Sequence, residues 1–452
     1  MTYMIPGYTE YYEEDGALYI SSKLLQNKVK ITEPKLQEEF YEILRCGGCA
    51  ALSTPLTQFL HEQELLADRK EVETLLQHAK RMMDECLFVT IMPTEGCNFR
   101  CSYCYESHRP LSMHRETLDQ IQTYLVDQAL RFQNLHLNWF GGEPTLCKDI
   151  ILETCALVQE AQASHPFRYS GGMTTNGYLL DEDAFRQYYA AGITDYQVTL
   201  DGWNHDETRP HASGKGTLQT ILNNLIVLSA LPKDQFPFRM VIRHNILAGD
   251  RDFSWYDHLH DLFGGDDRFS VYVSPVGDWG GESVKTLELL EGEQKTGLPL
   301  EHLAYLDQIG MRRENQDKEP FAQVCYASYP HSMVFRANGK IEKCTVALDH
   351  PKNLLGRVDP EQGIILDEAI NQLWSFGQLK QACYTCPDVL SCFNLRCRKG
   401  MLVDGHSPKT CFRDLKLACA ILALSGLDVA AIVDFLQKGV AACSTISKNF
   451  GK

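Results

Sequence analysis

The sequence predicts an α/β fold built from parallel strands, and three observations support this class. From about residue 86, apolar runs typical of strands alternate with runs typical of helices, which favours βα units in an open α/β barrel or a doubly wound sheet. The chain has 452 residues, of which 44% are hydrophobic and 23% charged, so it can bury a large core. Its 17 cysteines include two dense groups, within residues 97–104 and 325–411.

The first 85 residues lack this alternation. They contain two short β-prone runs and then three helical segments, at residues 17–20, 29–32, 35–44, 57–66 and 72–83. We therefore expect a small α+β region over residues 1–85.

The alternating part supplies six strand candidates with helices between them. They lie at residues 87–92, 135–140, 169–174, 196–200, 238–247 and 269–273. Loops at the carboxyl ends of parallel strands are where barrel active sites are built, so candidate site residues are sought there. Beyond about residue 296 strands become sparse and cysteines dense, which predicts a region organised by metal. The predicted domains are residues 1–85, 86–295 and 296–414, followed by a helical tail over 415–452.

Charge and hydropathy exclude two classes of function. The chain carries 43 basic and 59 acidic residues, a net charge of −16, which argues against binding to a nucleic-acid backbone. No stretch of 18 residues is free of charges or strong helix breakers, so no membrane span is expected. No secretory signal is visible at the N-terminus, and we expect a cytoplasmic protein. In a reducing compartment, clustered thiols indicate a metal, either zinc or iron–sulfur.

The first cluster is Cys97, Cys101 and Cys104, in the loop that follows the first predicted strand. Three thiolates can hold a 4Fe–4S cluster by three of its irons and leave the fourth iron open for chemistry. A three-cysteine zinc site is the alternative. The Cys-x3-Cys-x2-Cys spacing in this location resembles the motif of the radical SAM enzymes, whose reduced cluster splits S-adenosylmethionine (SAM) into methionine and a 5′-deoxyadenosyl radical.

Further residues fit this resemblance in the expected order. A Gly-Gly-Glu-Pro turn after the second strand would hold the amino group of SAM, polar residues at later strand ends would line the SAM pocket, and an arginine would lie near the SAM carboxylate. These residues are Gly141, Gly142, Glu143 and Pro144, then Asn176, Thr199 and Asp201, and finally Arg209. The alternatives are an ordinary strand-to-helix turn and, for the arginine, a solvated loop charge.

The second group of cysteines resembles the SPASM extension of radical SAM enzymes, which binds two auxiliary 4Fe–4S clusters. The resemblance assigns Cys325, Cys344 and Cys397 to the first auxiliary cluster, and Cys383, Cys386, Cys392 and Cys411 to the second. Four residues separate Cys392 from Cys397, whereas the family usually has three at this point. This departure concerns the assignment of Cys397. A zinc site is the alternative.

No fourth cysteine follows Cys325 closely, so we expect an open iron in the first auxiliary cluster, where a substrate thiolate could bind. The alternative is a fourth ligand from elsewhere, such as His331, Asp349 or Cys419.

The resemblance implies a partial (βα)6 radical SAM barrel with a winged-helix-like N-terminal region and a C-terminal SPASM domain. It also implies SAM and three 4Fe–4S clusters as cofactors and a low-potential electron donor as partner. The N-terminal region resembles elements that hold a precursor peptide, although a cap on the barrel is equally open. The leading function is therefore a maturase of a ribosomally made peptide that forms a thioether from a cysteine sulfur to a carbon.

Two other functions remain open. One is an anaerobic sulfatase-maturating enzyme, or another SPASM enzyme that modifies peptides or proteins. The sulfatase-maturating family has an aspartate base after the second cysteine of a Gly-x4-Cys motif, whereas here Thr345 follows Cys344. The other is a binding scaffold with structural clusters only. No catalytic side chain is assigned.

Overall fold

The structure is a computed structural model that describes residues 2–22, 27–46, 48–281, 283–292, 294–312, 324–375, 379, 383–386, 389–392 and 397–405. They fall into two compact units. The first takes in residues up to Glu85, residues 324–330 and those from Gln372 onward, and the second takes in residues from Cys86 to 312 and from His331 to Asn371. The predictions for Cys411 and for the tail over 415–452 lie outside the described residues.

The first unit contains a small antiparallel sheet and three helices from the N-terminal region. Their bounds are β1 (Tyr3–Met4), β2 (Thr9–Glu14), β3 (Ala17–Ser22), β4 (Lys28–Ile31), α1 (Pro34–Arg45), β5 (Cys49–Ala50), α2 (Pro55–Glu62) and α3 (Arg69–Asp84). Strands β2, β3 and β4 form one sheet in that order, and β1 pairs with β5. Apolar side chains of β3, β4, α1 and α2 share a core of their own, which includes Leu18, Ile31 and Phe40.

The predicted strands at 17–20 and 29–32 correspond to β3 and β4, whereas β2 was not expected. Five of the six β2 side chains are exposed, so the strand lacks the apolar alternation on which the prediction depended.

The helix starts carry a clear local signal. Thr54 before α2 and Asp68 before α3 each form a capping box with the third helical residue, which satisfies backbone N–H groups at the helix start.

The second unit is built on a ten-stranded sheet in the order β11-β10-β9-β8-β7-β6-β12-β13-β14-β15. The bounds of its first strands are β6 (Cys86–Met92), β7 (Asn134–Trp139), β8 (Arg168–Thr175), β9 (Ile193–Thr199), β10 (Arg239–Ile246) and β11 (Phe269–Pro275). These six strands pair in parallel with their neighbours. The prediction of parallel βα units from residue 86 is therefore confirmed.

Helices connect these strands and cover the sheet. They are α4 (Arg115–Ala129), α5 (Lys148–Ser164), α6 (Glu182–Ala190), α7 (His205–Thr208), α8 (Leu218–Ser229), α9 (Ser254–Phe263) and α10 (Gln294–Gln308). Helix α4 buries Leu118, Ile121 and Leu125 in the core that also holds strand residues such as Val89 and Leu137. This cover keeps the buried apolar side chains of the strands away from water.

The expectation of few strands beyond residue 296 is wrong. Strand β12 (Ser332–Arg336) pairs in parallel with β6, and β13 (Lys340–Glu342), β14 (Leu354–Asp359) and β15 (Gly363–Leu366) continue the sheet with antiparallel pairings. All five side chains of β12 are buried, but only Met333, Val334 and Phe335 are apolar, and a run of three apolar residues is too short to indicate a strand. Because Arg336 pairs with Met92, β12 ends at the edge where β6 ends.

Three short helices follow in the chain, α11 (Glu368–Trp374), α12 (Val389–Cys392) and α13 (Arg398–Leu402). Among the described residues, no helix is both long and apolar enough to cross a bilayer.

Candidate active site

The loop with Cys97, Cys101 and Cys104 leaves the carboxyl end of β6, and all three cysteines are half-buried. The buried Phe99 ring anchors the loop in the core. Backbone N–H groups of the loop donate to the end of α7 and the residues after it, from Ser102 to the Thr208 carbonyl at 2.9 Å and from Arg100 to the Pro210 carbonyl at 2.9 Å. The strand and this second segment together fix the path of the loop.

Burial raises the pKa of the Cys97 and Cys104 thiols to about 12 and also raises the pKa of Cys101. The free thiols are therefore neutral at pH 7, and metal binding would release their protons. The Phe99 N–H donates to Cys97 Sγ at 3.3 Å, a contact of the kind that tunes iron–sulfur ligands. In the part of the chain that the structure describes, no three His, Cys, Asp or Glu side chains gather as around one metal ion; a 4Fe–4S cluster distributes its thiolates over several irons.

The Gly-Gly-Glu-Pro turn after β7 packs directly on the start of the cysteine loop. The Gly142 N–H donates to the Thr94 carbonyl at 3.2 Å, and the Glu143 N–H donates to the Gly96 carbonyl at 2.9 Å. A Cβ on Gly142 would lie 2.2 Å from the Gly96 oxygen, and one on Gly141 would lie 2.6 Å from the Thr94 oxygen. Only glycine permits this backbone approach. Pro144 follows as the buried first residue of a short 3-10 helix.

The Glu143 carboxylate is 1% exposed and is held by four donors. Oε1 accepts from the Thr145 N–H at 3.1 Å, the Thr145 hydroxyl at 2.6 Å and the Thr175 hydroxyl at 2.6 Å, and Oε2 accepts from the Asn176 N–H at 2.7 Å. Burial raises the pKa of this carboxyl, although these donors oppose the shift. Since a carboxylate oxygen has two lone pairs, Oε2 retains room for a further donor such as an ammonium.

Asn176, at the end of β8, links the Glu143 turn to the cysteine loop. Its Nδ2 donates to Asn98 Oδ1 at 2.7 Å, and its Oδ1 accepts from the Tyr178 N–H at 3.0 Å. Asn98 lies inside the Cys-x3-Cys motif, and the sequence analysis gave it no role. The structure thus joins the ends of β6, β7 and β8 through amide and carboxylate groups.

Asp201, just after β9, accepts a hydrogen bond from the Tyr103 hydroxyl through Oδ2. Its Oδ1 accepts from the backbone N–H of Asn245 at 3.1 Å and from Asn245 Nδ2 at 3.2 Å. Tyr103 stands between two of the motif cysteines, so Asp201 and Asn245 fix that end of the loop. Thr199 is the buried last residue of β9.

Arg209 is 8% exposed, and its Nη1 donates to the Tyr103 hydroxyl at 2.9 Å. Its Nε is buried without a hydrogen-bond partner among the described residues. A buried guanidinium with an unsatisfied donor is costly, so Arg209 fits an anionic ligand group such as the SAM carboxylate that the resemblance implies. The alternative of a solvated loop charge is wrong because the side chain is buried.

Of the predicted auxiliary ligands, Cys344 belongs to the second unit. It is buried in the loop after β13, and its Sγ accepts from the Val346 N–H at 3.4 Å. Asn353, fully buried, accepts from the Cys344 N–H at 2.9 Å and donates to the Cys344 and Ala347 carbonyls, both at 2.9 Å. Sequence reasoning missed Asn353 because a buried asparagine outside a motif has no distinguishing spacing.

The other described auxiliary ligands belong to the first unit. Cys325 and Cys397 are exposed, Cys383 and Cys392 are half-buried, and Cys386 is buried. The Cys386 N–H donates to the Cys383 carbonyl at 3.1 Å, and Cys397 Sγ accepts from the Gly400 N–H at 3.5 Å at the start of α13. The assignment of these cysteines to two clusters stays a prediction.

Comparisons with known proteins can be set beside this geometry. The model of the Radical SAM superfamily matches residues 91–259. A GTP 3′,8-cyclase from Haemophilus ducreyi is 28% identical over 184 residues, 39% of this chain and 52% of the cyclase. The mycofactocin maturase MftC from Mycolicibacterium smegmatis is 28% identical over 158 residues, 35% of this chain and 38% of the maturase. The chain thus spans about half or less of the length of these curated relatives.

A solved structure, Streptococcus suis SuiB bound to the precursor peptide SuiA, matches 90% of this chain and 98% of SuiB with a TM-score of 0.50 and 13% identity. This match shows a shared α/β fold with a mostly parallel sheet. The expectation of an enzyme is confirmed, since the curated relatives are enzymes, and the superfamily implies SAM and a 4Fe–4S cluster as cofactors. Residues 91–259 are therefore the part of the chain that is similar to radical SAM enzymes.

Proposed function

We propose that this chain is a radical SAM enzyme that modifies a ribosomally made precursor peptide and forms a thioether from a cysteine sulfur to a carbon. The observation that carries the radical SAM part is the single hydrogen-bonded edge that joins the cysteine loop to Glu143, Asn176, Asp201 and Arg209. When bound and reduced, the cluster and SAM supply a 5′-deoxyadenosyl radical that removes hydrogen from the substrate.

The residues of the chain bind and orient in this scheme. Cys97, Cys101 and Cys104 would hold three irons, Glu143 would receive the SAM ammonium, and Arg209 would pair with the SAM carboxylate. Asn176 and Asp201 hold the loop through Asn98 and Tyr103.

The small sheet of the N-terminal region is the feature that favours a peptide as the substrate. Within the described residues, β2 and β4 each pair only with β3, so they are the outer strands of this sheet, and an outer strand is where a peptide strand can add. Strand β2 also exposes Tyr11 at 46% and Tyr12 at 43%. The match to SuiB, which was crystallised with a precursor peptide, extends over 90% of this chain.

The thioether proposal needs a site for the substrate sulfur, and an open iron in the first auxiliary cluster would supply one by deprotonating the thiol. Asp349, one alternative fourth ligand, has its carboxylate 3.0 Å from Arg336 Nη1 and 2.5 Å from Lys340 Nζ. These ion pairs favour an open position over ligation by Asp349. His331 and Cys419 remain alternatives, and Cys419 lies outside the described residues.

The first experiment measures anaerobic release of 5′-deoxyadenosine by iron-loaded, reduced full-length protein. Replacing Cys97, Cys101 and Cys104 by Ala should abolish release while auxiliary iron remains. The matched control is Cys147→Ala, a half-buried thiol outside the motif, which should cleave SAM normally. Full cleavage in the triple variant would refute the cluster assignment, and no cleavage by any protein would favour a scaffold.

The second experiment tests the substrate. Precursor candidates are Cys-containing peptides translated from short reading frames beside the gene, with GTP as a parallel substrate because curated relatives include GTP 3′,8-cyclases. Formation of a thioether removes two hydrogens from the peptide. One leaves as a hydrogen atom to the radical, the other leaves as the thiol proton, and one electron passes to an acceptor cluster. Mass spectrometry should detect this loss together with blocked thiol alkylation. Conversion of GTP with unmodified peptide would contradict the proposal.

A further inference from the structure

Arg336 is a buried cation at the same sheet edge as the cysteine loop, and no step above uses it. It is the last residue of β12 and pairs with Met92 at the end of β6. Only 3% of the residue is exposed. Its guanidinium reaches two different loops, one on each side.

Toward the cysteine loop, Arg336 Nη2 donates to Glu95 Oε1 at 2.6 Å. Glu95 is 2% exposed and lies two residues before Cys97. Its other oxygen accepts from the Ser107 hydroxyl at 3.3 Å, three residues after Cys104. The Glu95 carboxylate therefore bridges the two ends of the loop, and Arg336 connects this bridge to β12.

On the other side, Arg336 Nη1 lies 3.0 Å from Asp349 Oδ2 and 3.6 Å from Glu342 Oε2. Glu342 is fully buried, and its Oε1 accepts from the Asp349 N–H at 2.7 Å. Glu342 lies two residues before Cys344, and Asp349 lies five residues after it. The Arg336 guanidinium thus contacts the two carboxylates that flank Cys344 and also the Glu95 carboxylate, which bridges the ends of the Cys97–Cys104 loop.

We propose that Arg336 is a positioning residue that holds the Cys97–Cys104 loop through Glu95 and couples this loop to the loop that carries Cys344. This inference rests on the proposed function in treating Cys97, Cys101 and Cys104 as cluster ligands. The planar guanidinium suits the task because it presents donors in several fixed directions, whereas a lysine ammonium is a compact point charge. Loss of the cation would also leave buried carboxylates without a counter-charge.

The same geometry predicts the direction in which each charge shifts the midpoint potential of a cluster on this loop. A nearby positive charge stabilises the added electron, and a negative charge opposes it. Removal of the Arg336 charge should therefore make the midpoint potential more negative, and removal of the Glu95 charge should make it less negative. If Arg336 and Glu95 affected only the structure of the loop, removal of one or the other would not shift the midpoint potential in opposite directions.

The test uses the full chain with Arg336→Met, Arg336→Lys, Glu95→Gln and the double variant Glu95→Gln/Arg336→Met. The control is Arg357→Met on β14, where the arginine side chain is 63% exposed and 3.6 Å from Asp359. The first readout is hydrogen exchange of the backbone amides of residues 95–107 in iron-free protein. We expect at least tenfold faster exchange in Arg336→Met and Arg336→Lys, and no change in Arg357→Met.

The second readout is the midpoint potential of the SAM-binding cluster in iron-loaded protein, followed by electron paramagnetic resonance. Arg336→Met should shift it negative, Glu95→Gln positive, and the double variant should return toward the wild-type value. If Arg336→Met does not fold, Arg336→Lys still decides the exchange readout, and the comparison of Glu95→Gln with the double variant still decides the potential readout. Unchanged exchange in Arg336→Lys and in the double variant would overturn the inference. Absence of iron from the wild-type loop would refute the proposed function, while exchange would still decide the role of Arg336.

Discussion

Tyr103→Phe removes one hydroxyl from the cysteine loop and leaves the ring in position. That hydroxyl donates to Asp201 and accepts from Arg209 Nη1 at 2.9 Å and from Asn245 Nδ2 at 2.9 Å. Burial raises the pKa of Tyr103 well above its ordinary value, so the hydroxyl is protonated and available as a donor at neutral pH. The variant therefore deprives two buried charged groups of a partner.

The expected loss of stability follows from those two charged partners. A hydrogen bond to a charged group contributes about 1.5–3 kcal/mol. Asp201 keeps the Thr208 hydroxyl at 3.2 Å and Asn245 Nδ2 at 3.2 Å, which favours the lower value for each bond. Two bonds at this value give a loss of about 3 kcal/mol in the free energy of unfolding.

Denaturant unfolding of iron-free full-length protein, followed by the fluorescence of the buried Trp139 and Trp255 in the same unit, measures this loss. The control is Tyr305→Phe, whose hydroxyl makes one surface bond to Asp257 at 2.6 Å and should leave the transition unchanged. A loss below about 1 kcal/mol in Tyr103→Phe would show that Arg209 and Asp201 pair directly once the hydroxyl is gone, and would refute the reasoning.

Four further predictions concern other parts of the molecule. Gly142→Ala should push the Glu143 turn off the cysteine loop, because its Cβ would lie 2.2 Å from the Gly96 oxygen, and should lower the unfolding midpoint, whereas Gly265→Ala, with nothing within 4 Å, should not. Burial lowers the pKa of His205 to about 4, whereas its pKa in the unfolded chain is about 6.5. The contribution of the neutral imidazole to the free energy of unfolding is therefore complete above pH 6.5 and is lost as the pH falls toward 4. The difference in the free energy of unfolding between wild type and His205→Asn should narrow by about 2 kcal/mol from pH 7.5 to pH 5. Asn353→Ala should remove the bonds that hold the Cys344 loop, and mass spectrometry should find Cys344 in iron-free protein alkylated faster than in wild type. Deletion of residues 1–80 should weaken precursor binding, measured by fluorescence anisotropy, more than uncoupled SAM cleavage; equal peptide binding by the soluble truncated protein would make the region a cap.

The sequence predicted the parts of the fold whose signal is local. Each of β6 to β11 contains a short segment rich in apolar residues, and the strands were found in this way. The cysteine loop was found because its three cysteines lie within eight residues. Asn176, Asp201 and Arg209 were selected by the resemblance, and the structure joins them to the loop through Asn98 and Tyr103.

Other features depend on contacts that no short window contains. The bond between Glu95 and Arg336 joins positions 241 residues apart, so neither residue stands out in its own segment. Strand β2 escaped because its side chains are mostly exposed, and β12 escaped because its apolar run has only three residues, between Ser332 and Arg336. The protein donors to Glu143 could not be predicted either, since they arise from the way two loops stack on each other.

The parallel pairing of β12 with β6 has a consequence for how the chain is made. During synthesis, β6 emerges long before its neighbour, since 241 residues separate Glu95 from Arg336. At roughly 5–20 residues per second, β6 has an unpaired, apolar edge for about 12–50 seconds on the ribosome. Over that interval the Glu95 carboxylate, which bridges the two ends of the cysteine loop, also lacks its cation Arg336. If the loop holds the proposed cluster, iron delivered to the nascent chain would meet an incomplete binding loop, and the order of synthesis favours cluster insertion after the whole sheet has been made.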